Sequence, residues 1–275
     1  MRIATYNLWN SPARRDDRLA AAGEELSRLG ASIVALQEVA IGSGGSNAAR
    51  YLKDHCGFSY FETRPYPDDP GEGLAFLSNV PIHAAEAGWE TGLPALRNCG
   101  LRACVRFGDT EIAITNVHLD YSNIAIREAQ ISQVLEWIGA RAEAGCFEVL
   151  CGDFNCTPDS SVYRYLMGQQ TILGQGVTHW HDLARVGAER EGRSAEATLD
   201  FWNNPRWHGS PTLEIPMRVD WLLFQDTFDR GLGYPRVADA GVFGVEPTPE
   251  AGVVPSDHYG VYATLTFDAE ECHSS

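Results

Sequence analysis

Residues 147–160 read FEVLCGDFNCTPDS, an apolar run that ends abruptly in an acid and an amide. Strand side chains alternate between faces, so an extended segment here sends Asp153 and Asn155 one way and Phe154 the other. Pro158 has no ladder N–H and stops the strand, and Asp159 or Ser160 can cap a following helix. The segment therefore reads as a buried strand that carries two polar groups to one edge of the fold. A lone D-x-N also has a simpler use, because Asx residues cap turns. The choice between the two depends on how the other strands end.

They end the same way. TYNLW closes with Asn7, VALQEV with Glu38, and ITNVHLD with His118 and Asp120. Asp220 lies inside MRVDWLLF, and Asp257-His258 in PSDHYG precedes the last strand. A buried carboxylate is costly unless it is paired or holds a cation, so Asp220 and Glu38 are hard to explain as packing residues. Hard carboxylate and amide oxygens suit Mg²⁺ or Mn²⁺, and such cations serve hydrolysis at phosphorus. There is no H-E-x-x-H helix for zinc and no G-x-S-x-G elbow for a serine nucleophile. His179 and His181 alternate in a loop and offer only a weaker metal pair.

The whole chain limits the options further. Its 275 residues allow one large domain or two small ones, and 44% hydrophobic residues suffice for a sizeable core. A net charge of −16 leaves no broad basic field for sequence-blind nucleic-acid binding. The cysteines number seven, an odd count, and several fall inside strand-like runs, as buried thiols of a reducing compartment do. Cys151 and Cys156 flank the opening motif without a second pair at zinc-finger spacing. The chain starts directly in a strand, MRIATYNLW, and no apolar run approaches the ~20 residues of a membrane span. The expectation is a soluble, cytoplasmic protein.

Helical spacing marks Asp16–Leu29, a short segment through His55, and Ile124–Ala142 with Ile124, Ile131, Val134, Leu135 and Ile138 on one face. A further helix is expected at Ser161–Met167. Strands are expected at 2–8, 33–36, 58–63, 73–77, 100–107, 111–119, 219–224 and 261–267. Gly108-Asp109-Thr110 joins two of them as a hairpin, which requires antiparallel pairing. The loop GSGGSN lacks the Gly-Lys-Ser/Thr ending of a phosphate cradle and reads as a linker. No repeat or low-complexity linker divides the chain, so one mixed α/β domain with much antiparallel sheet is expected.

Taken in order, TYNLWN, LQEV, EGLAFLS, NVHLDY, GDFNCTPDS, RVDWLL and PSDHYG resemble the motifs of the endonuclease/exonuclease/phosphatase superfamily across essentially the whole chain. That superfamily includes deoxyribonuclease I, exonuclease III-type repair nucleases, neutral sphingomyelinases, inositol-polyphosphate phosphatases and sugar-phosphate phosphatases. The resemblance implies an α+β fold, a four-layer α/β/β/α sandwich of two mostly antiparallel sheets with helices outside. It would occupy residues 1–268 as one domain and leave a short tail at 269–275. It implies Mg²⁺, with Mn²⁺ as an alternative, held by Glu38, Asn7 and Asp257. Asp153, helped by Asn155, is implied as the group that orients or deprotonates the attacking water. His258, backed by Asp220, would bind the phosphoryl oxygens. His118 would act as acid for the leaving oxygen, with Glu72 as its orienting carboxylate.

The family sets the reaction and not the substrate. The segment Leu199–Met217, LDFWNNPRWHGSPTLEIPM, departs from the family pattern and carries Phe201, Trp202, Trp207 and His208. Trp202 and Trp207 would stack on a sugar or base, contact an acyl chain, or simply cover a sheet edge. Arg97, Arg102, Arg206 and Arg218 are candidate phosphate clamps, with Arg102 and Arg218 favoured because each adjoins a site strand. Acidity favours a small phosphoester over a nucleic acid as the partner. A nuclease and a non-catalytic binding protein are the rival readings, and a sphingomyelinase fits less well without a membrane-inserting hairpin.

Overall fold

Alternation along the strands builds the core. In β1 (Arg2–Asn7), Ile3 joins one apolar cluster while Ala4 and Tyr6 join another, so both faces of the strand are covered. The computed structural model describes residues 1–42, 47–88, 100–176, 178–209 and 212–267. After β1 come α1 (Arg15–Leu29), β2 (Ile33–Ala40), α2 (Ala48–Cys56), β3 (Tyr60–Pro65), β4 (Glu72–Ser78) and β5 (Ile82–Gly88). Then follow β6 (Gly100–Phe107), β7 (Thr110–His118), α3 (Ile124–Gly139), β8 (Cys146–Asp153) and α4 (Ser161–Leu166). The chain continues through β9 (Trp180–Asp182), α5 (Leu183–Arg190), β10 (Asp220–Gln225), β11 (Arg236–Phe243) and β12 (Gly260–Thr266).

The strands form two six-stranded sheets, ordered β11-β12-β1-β2-β4-β3 and β5-β6-β7-β8-β10-β9. Pairing is antiparallel except at β1–β2 and β7–β8, the two places where a helix makes the crossover. Ile3, Ile33 and Phe76 of the first sheet pack on Leu101, Ile112, Val149 and Leu222 of the second. Behind the first sheet, Leu26 of α1 and Leu52 of α2 cover Val34 and Leu36. Behind the second, Ile131, Val134 and Ile138 of α3 and Tyr163 of α4 cover Leu150 and Trp221. Three apolar layers between four layers of structure make the expected α/β/β/α sandwich.

Gly108 at φ 62 and Asp109 form the turn of the β6–β7 hairpin, with Phe107 opposite Thr110 as anticipated. Other expectations need correction. Ile124 is 62% exposed and does not join the buried face of α3, where Trp137 and Gln130 sit instead. Strands β5, β9 and β11 and helix α5 lack a strong local signal. β5, for example, reads IHAAEAG, a composition that favours helix, and it is a strand because β6 supplies an edge to pair with. The tail at 269–275, most of the GSGGSN loop, Arg97 and Cys99 lie outside the described residues. Among the described residues, no helix is long and apolar enough to cross a membrane.

Candidate active site

Four strands end at the same rim of the sandwich with their polar groups in phase. In β8, Val149, Cys151 and Asp153 share the inward face; in β10, Asp220, Leu222 and Phe224 share it. β7 brings His118 into phase with Ile112 and Ile114, and β1 brings Asn7 into phase with Ile3. Register then aligns the ends, because Asp153 stands opposite Asp220 on one side and beside His118 on the other. Asn7 Nδ2 crosses from the other sheet and donates to Asp153 Oδ2 at 3.0 Å.

Glu38 is out of phase by sequence, since Gln37 takes the inward position in β2. A β-bulge between Leu36 and Val39 inserts one extra residue opposite β4, and Glu38 adopts φ 51 within it. A bulge redirects a side chain, and here Glu38 Oε1 lies 3.3 Å from Asn7 Nδ2. Glu38 Oε2 accepts the backbone N–H of Asn10 at 3.0 Å. Asn7 is thus a donor that bridges Glu38 and Asp153, while its own Oδ1 accepts the Trp9 N–H at 2.9 Å.

Two facing carboxylates are destabilising unless a cation sits between them. His258 answers for Asp220: its Nδ1 lies 2.9 Å from Asp220 Oδ2, and its Nε2 lies 4.0 Å from Asp153 Oδ2. Burial works against a charge on His258. The Asp220 carboxylate, with Asp153 and Asp257 beyond it, nonetheless holds its pKa well above the usual histidine range. Burial first, and then the Asp220 charge, pushes the Asp153 carboxyl up to about 7. Thr198 anchors the pair, since its Oγ1 accepts from the backbone N–H groups of both Val219 and Asp220.

Asn155 differs from the strand picture. β8 ends at Asp153, and Asn155 turns into the left-handed region at φ 49. Its N–H caps Asp153 Oδ1 at 2.8 Å, and its Nδ2 donates to Leu119 O at 2.9 Å. The D-x-N is therefore an Asx turn that also fixes a site carboxylate, so both sequence readings meet in one motif. Phe154 is fully buried and stacks on Trp221 with centroids 4.4 Å apart. His118 Nε2 lies 3.5 Å from Asp153 Oδ2, and its Nδ1 lies 3.0 Å from the Tyr66 hydroxyl. Glu72 accepts from Asn10 Nδ2 at 2.8 Å, and the Tyr66 hydroxyl is the group beside His118 Nδ1.

The endonuclease/exonuclease/phosphatase family matches residues 4–258. The chain belongs to this family. Humanized D. rerio TDP2 is similar at TM-score 0.74 and 19% identity, over 97% of this chain and 99% of its own. A conserved protein of unknown function from Enterococcus faecalis V583 has TM-score 0.71 and 21% identity, over 98% and 100%. A family protein from Leptotrichia buccalis has TM-score 0.70 and 17% identity, over 97% and 100%. No curated protein sequence matches the chain. As a member of the endonuclease/exonuclease/phosphatase family, the protein is a phosphoesterase of a kind that generally depends on a divalent metal.

The residues present fit such a cation. Burial raises the Asp257 pKa, His258 lowers it and the neighbouring Glu38 charge raises it again, so two acids repel each other at the rim. A shared cation relieves that repulsion, and carboxylate oxygens match Mg²⁺ or Mn²⁺. Asp153, Asp220 and His258 gather donor atoms within 4.8 Å of one another and form a second set able to hold a metal ion. The Asp220–His258 pairing already occupies one nitrogen of that set.

Two favoured clamps lie elsewhere in this family member. Arg102 is 3% exposed on β6, and both its terminal nitrogens engage Glu148 of β8, at 2.6 and 2.7 Å. Its side chain shares the outer face of the second sheet, opposite in phase to Leu101 and Ala103 of the inter-sheet core. Arg218 Nη1 pairs with Asp182 at 2.5 Å, a carboxylate that also accepts from Tyr163. Both guanidiniums are thus engaged by buried carboxylates, and for Arg102 it is side-chain phase that sets the face it reaches. Trp202 is 62% exposed and donates to Glu214 O, whereas Trp207 packs 5.0 Å from Phe201. His181 pairs with Asp226 at 2.8 Å, and Trp180 between the two histidines is buried. Cys56, Cys104, Cys146, Cys151 and Cys156 are free thiols. Tyr66 and Thr198 lie in loops outside the motifs quoted above, and Asn10, the last residue of TYNLWN, carries no signal separate from Asn7.

Proposed function

We propose that the protein hydrolyses a small phosphorylated substrate, of the sugar-phosphate or phospholipid head-group type. The observation that carries the reading is the placement of Asp153 within 4.0 Å of both His118 and His258, in a chain of net charge −16. Asp153, poised near neutrality, takes a proton from water as the water oxygen attacks phosphorus. The breaking P–O bond leaves its electron pair on the departing oxygen, which His118 protonates. His258, kept cationic by Asp220, donates to the phosphoryl oxygens where charge develops. Glu38 and Asp257, with Asn7 between Glu38 and Asp153, would hold the divalent cation, which supplies Lewis-acid charge to the phosphoryl group.

A nuclease is the second reading. It is favoured by the D. rerio TDP2 structure in complex with single-strand DNA product, at TM-score 0.74 and 19% identity. A panel of nitrophenyl mono- and diesters, sugar phosphates, sphingomyelin and DNA with Mg²⁺ or Mn²⁺ separates the two. Asp153→Ala serves as control. Turnover of DNA alone would replace the small-substrate reading.

A further inference from the structure

A stack of alternating cations and rings stands beside the site, outside the groups assigned to hydrolysis. Trp9 follows Asn7 by two residues and is held at φ 51, a conformation that a bulky side chain rarely adopts. Arg18 Cζ lies 4.2 Å from the Trp9 ring centroid and Arg206 Cζ lies 4.4 Å from it. Arg206 also lies 5.0 Å from the Trp207 centroid, and Trp207 lies 5.0 Å from Phe201.

The two guanidiniums differ in what they have left to offer. Arg18 is buried and donates to the carbonyls of Leu8, Trp9, Ser11, Ala13 and Pro255. Arg206 is exposed, and among the described residues no acid or carbonyl accepts from its guanidinium. Two indole rings lie 4.4 and 5.0 Å from its Cζ, and its N–H edge is left to offer. That planar edge matches the oxygens of a phosphate, whereas a base would need a free face to stack on.

The stack is continuous with the site. Trp9 and Arg18 line a recess together with Asn10 and Glu38. They also line an adjoining groove of ≈ 520 Å³ with Arg14, Arg206 and Val254. Burial lowers the Arg18 pKa, Asp257 raises it, and Arg15 and Arg206 lower it, so these guanidiniums and the site acid share one field.

We propose that this groove binds a second phosphate of the substrate, one that is not hydrolysed, with Arg206 as its clamp. The proposal rests on the phosphoester-hydrolase reading and narrows its substrate to molecules with two phosphates. Trp9 and Trp207 are positioning residues that pack against the guanidinium.

The test compares p-nitrophenyl phosphate, which has one phosphate, with fructose 1,6-bisphosphate and 5′-phosphorylated dithymidylate, which have two. KM is measured for wild type, Arg206→Ala and Arg206→Lys, and binding of the two-phosphate probes to metal-stripped protein is measured by calorimetry. In Arg206→Ala, KM for one two-phosphate probe should rise on the order of tenfold more than KM for p-nitrophenyl phosphate, the worth of one charge-assisted pair. Arg206→Lys should recover only part of the loss, since it keeps the charge and not the fork. A loss confined to the bisphosphate supports the groove with a small metabolite in it; a loss confined to the dinucleotide supports it with a strand. Equal shifts for all three probes, or none, overturn the proposal and leave the hydrolase reading standing. Arg206-dependent binding without turnover of any probe supports the groove while sinking the hydrolase reading.

Discussion

At the scale of single residues, Asp153 is a carboxylate placed where a charge is expensive, and that expense has a measurable consequence. Its pKa is pushed up to about 7 by burial and by Asp220, against an ordinary value of about 4. Between those two values the folded chain holds a proton that the unfolded chain has released, so stability falls as pH rises through the window. Metal-stripped protein should therefore melt at a lower temperature at pH ~8 than at pH ~5, and Asp153→Asn should flatten that dependence. A melting temperature independent of pH would return Asp153 to the ordinary carboxylate range. His258→Ala should lower turnover at least ~100-fold, as loss of a preorganised charge-stabilising group does, with the fold intact by circular dichroism. Glu38→Gln, isosteric and neutral, should weaken Mg²⁺ binding ~10-fold or more by calorimetry, while Asp220→Asn should weaken it less. The reverse order would move the cation to Asp153, Asp220 and His258. These residues were legible in the sequence because each is a polar group at the end of an apolar run.

At the scale of elements, three local departures from regular geometry aim the site. Glu38 reaches it through a bulge, Asn155 through a left-handed turn, and Asp153 through the glycine before it. Gly152 sits at φ 135, and a Cβ there would come within 1.9 Å of the Val117 carbonyl oxygen of β7. Gly152→Ala should thus force β8 away from β7 and cost roughly 2 kcal/mol or more, the scale of a substitution at a forbidden φ. Activity should fall with it, because Asp153 and His118 are neighbours across that ladder. Chemical denaturation together with a rate assay checks both effects. None of these devices shows in a periodicity reading. Alternation predicts that Asn155 lies in phase with Asp153 and says nothing of Glu38, and both side chains are set by backbone exceptions. Short edge elements such as β9, with three residues, escaped for a different reason: their pairing partner stabilises them, and local sequence does not.

At the scale of the whole molecule, the two sheets meet so that one rim collects the polar groups of β1, β7, β8 and β10, and buried charges elsewhere must be neutralised in place. Arg102 and Glu148 are an example, a fully desolvated pair on the outer face of the second sheet. Arg102→Ala should cost roughly 3–5 kcal/mol by leaving Glu148 buried and unpaired. Arg102→Met with Glu148→Leu should recover most of that stability and keep activity, which a phosphate clamp would not allow. Denaturation midpoints of the two variants decide this. The sequence by itself determined the class of fold, the family and the identity of the polar groups at the strand ends. The mixed α/β class and the polar groups rest on hydrophobic period and residue chemistry, which are local, and the family rests on the resemblance of the ordered motifs. Only the tertiary structure decided which arginines pair with buried acids, that the Tyr66 hydroxyl lies beside His118 Nδ1, and that Trp9 and Trp207 pack against Arg206 at a groove. These depend on side-chain phase, register and loop packing between residues distant in sequence, and a one-residue shift in any of them would point the same side chain at the opposite face.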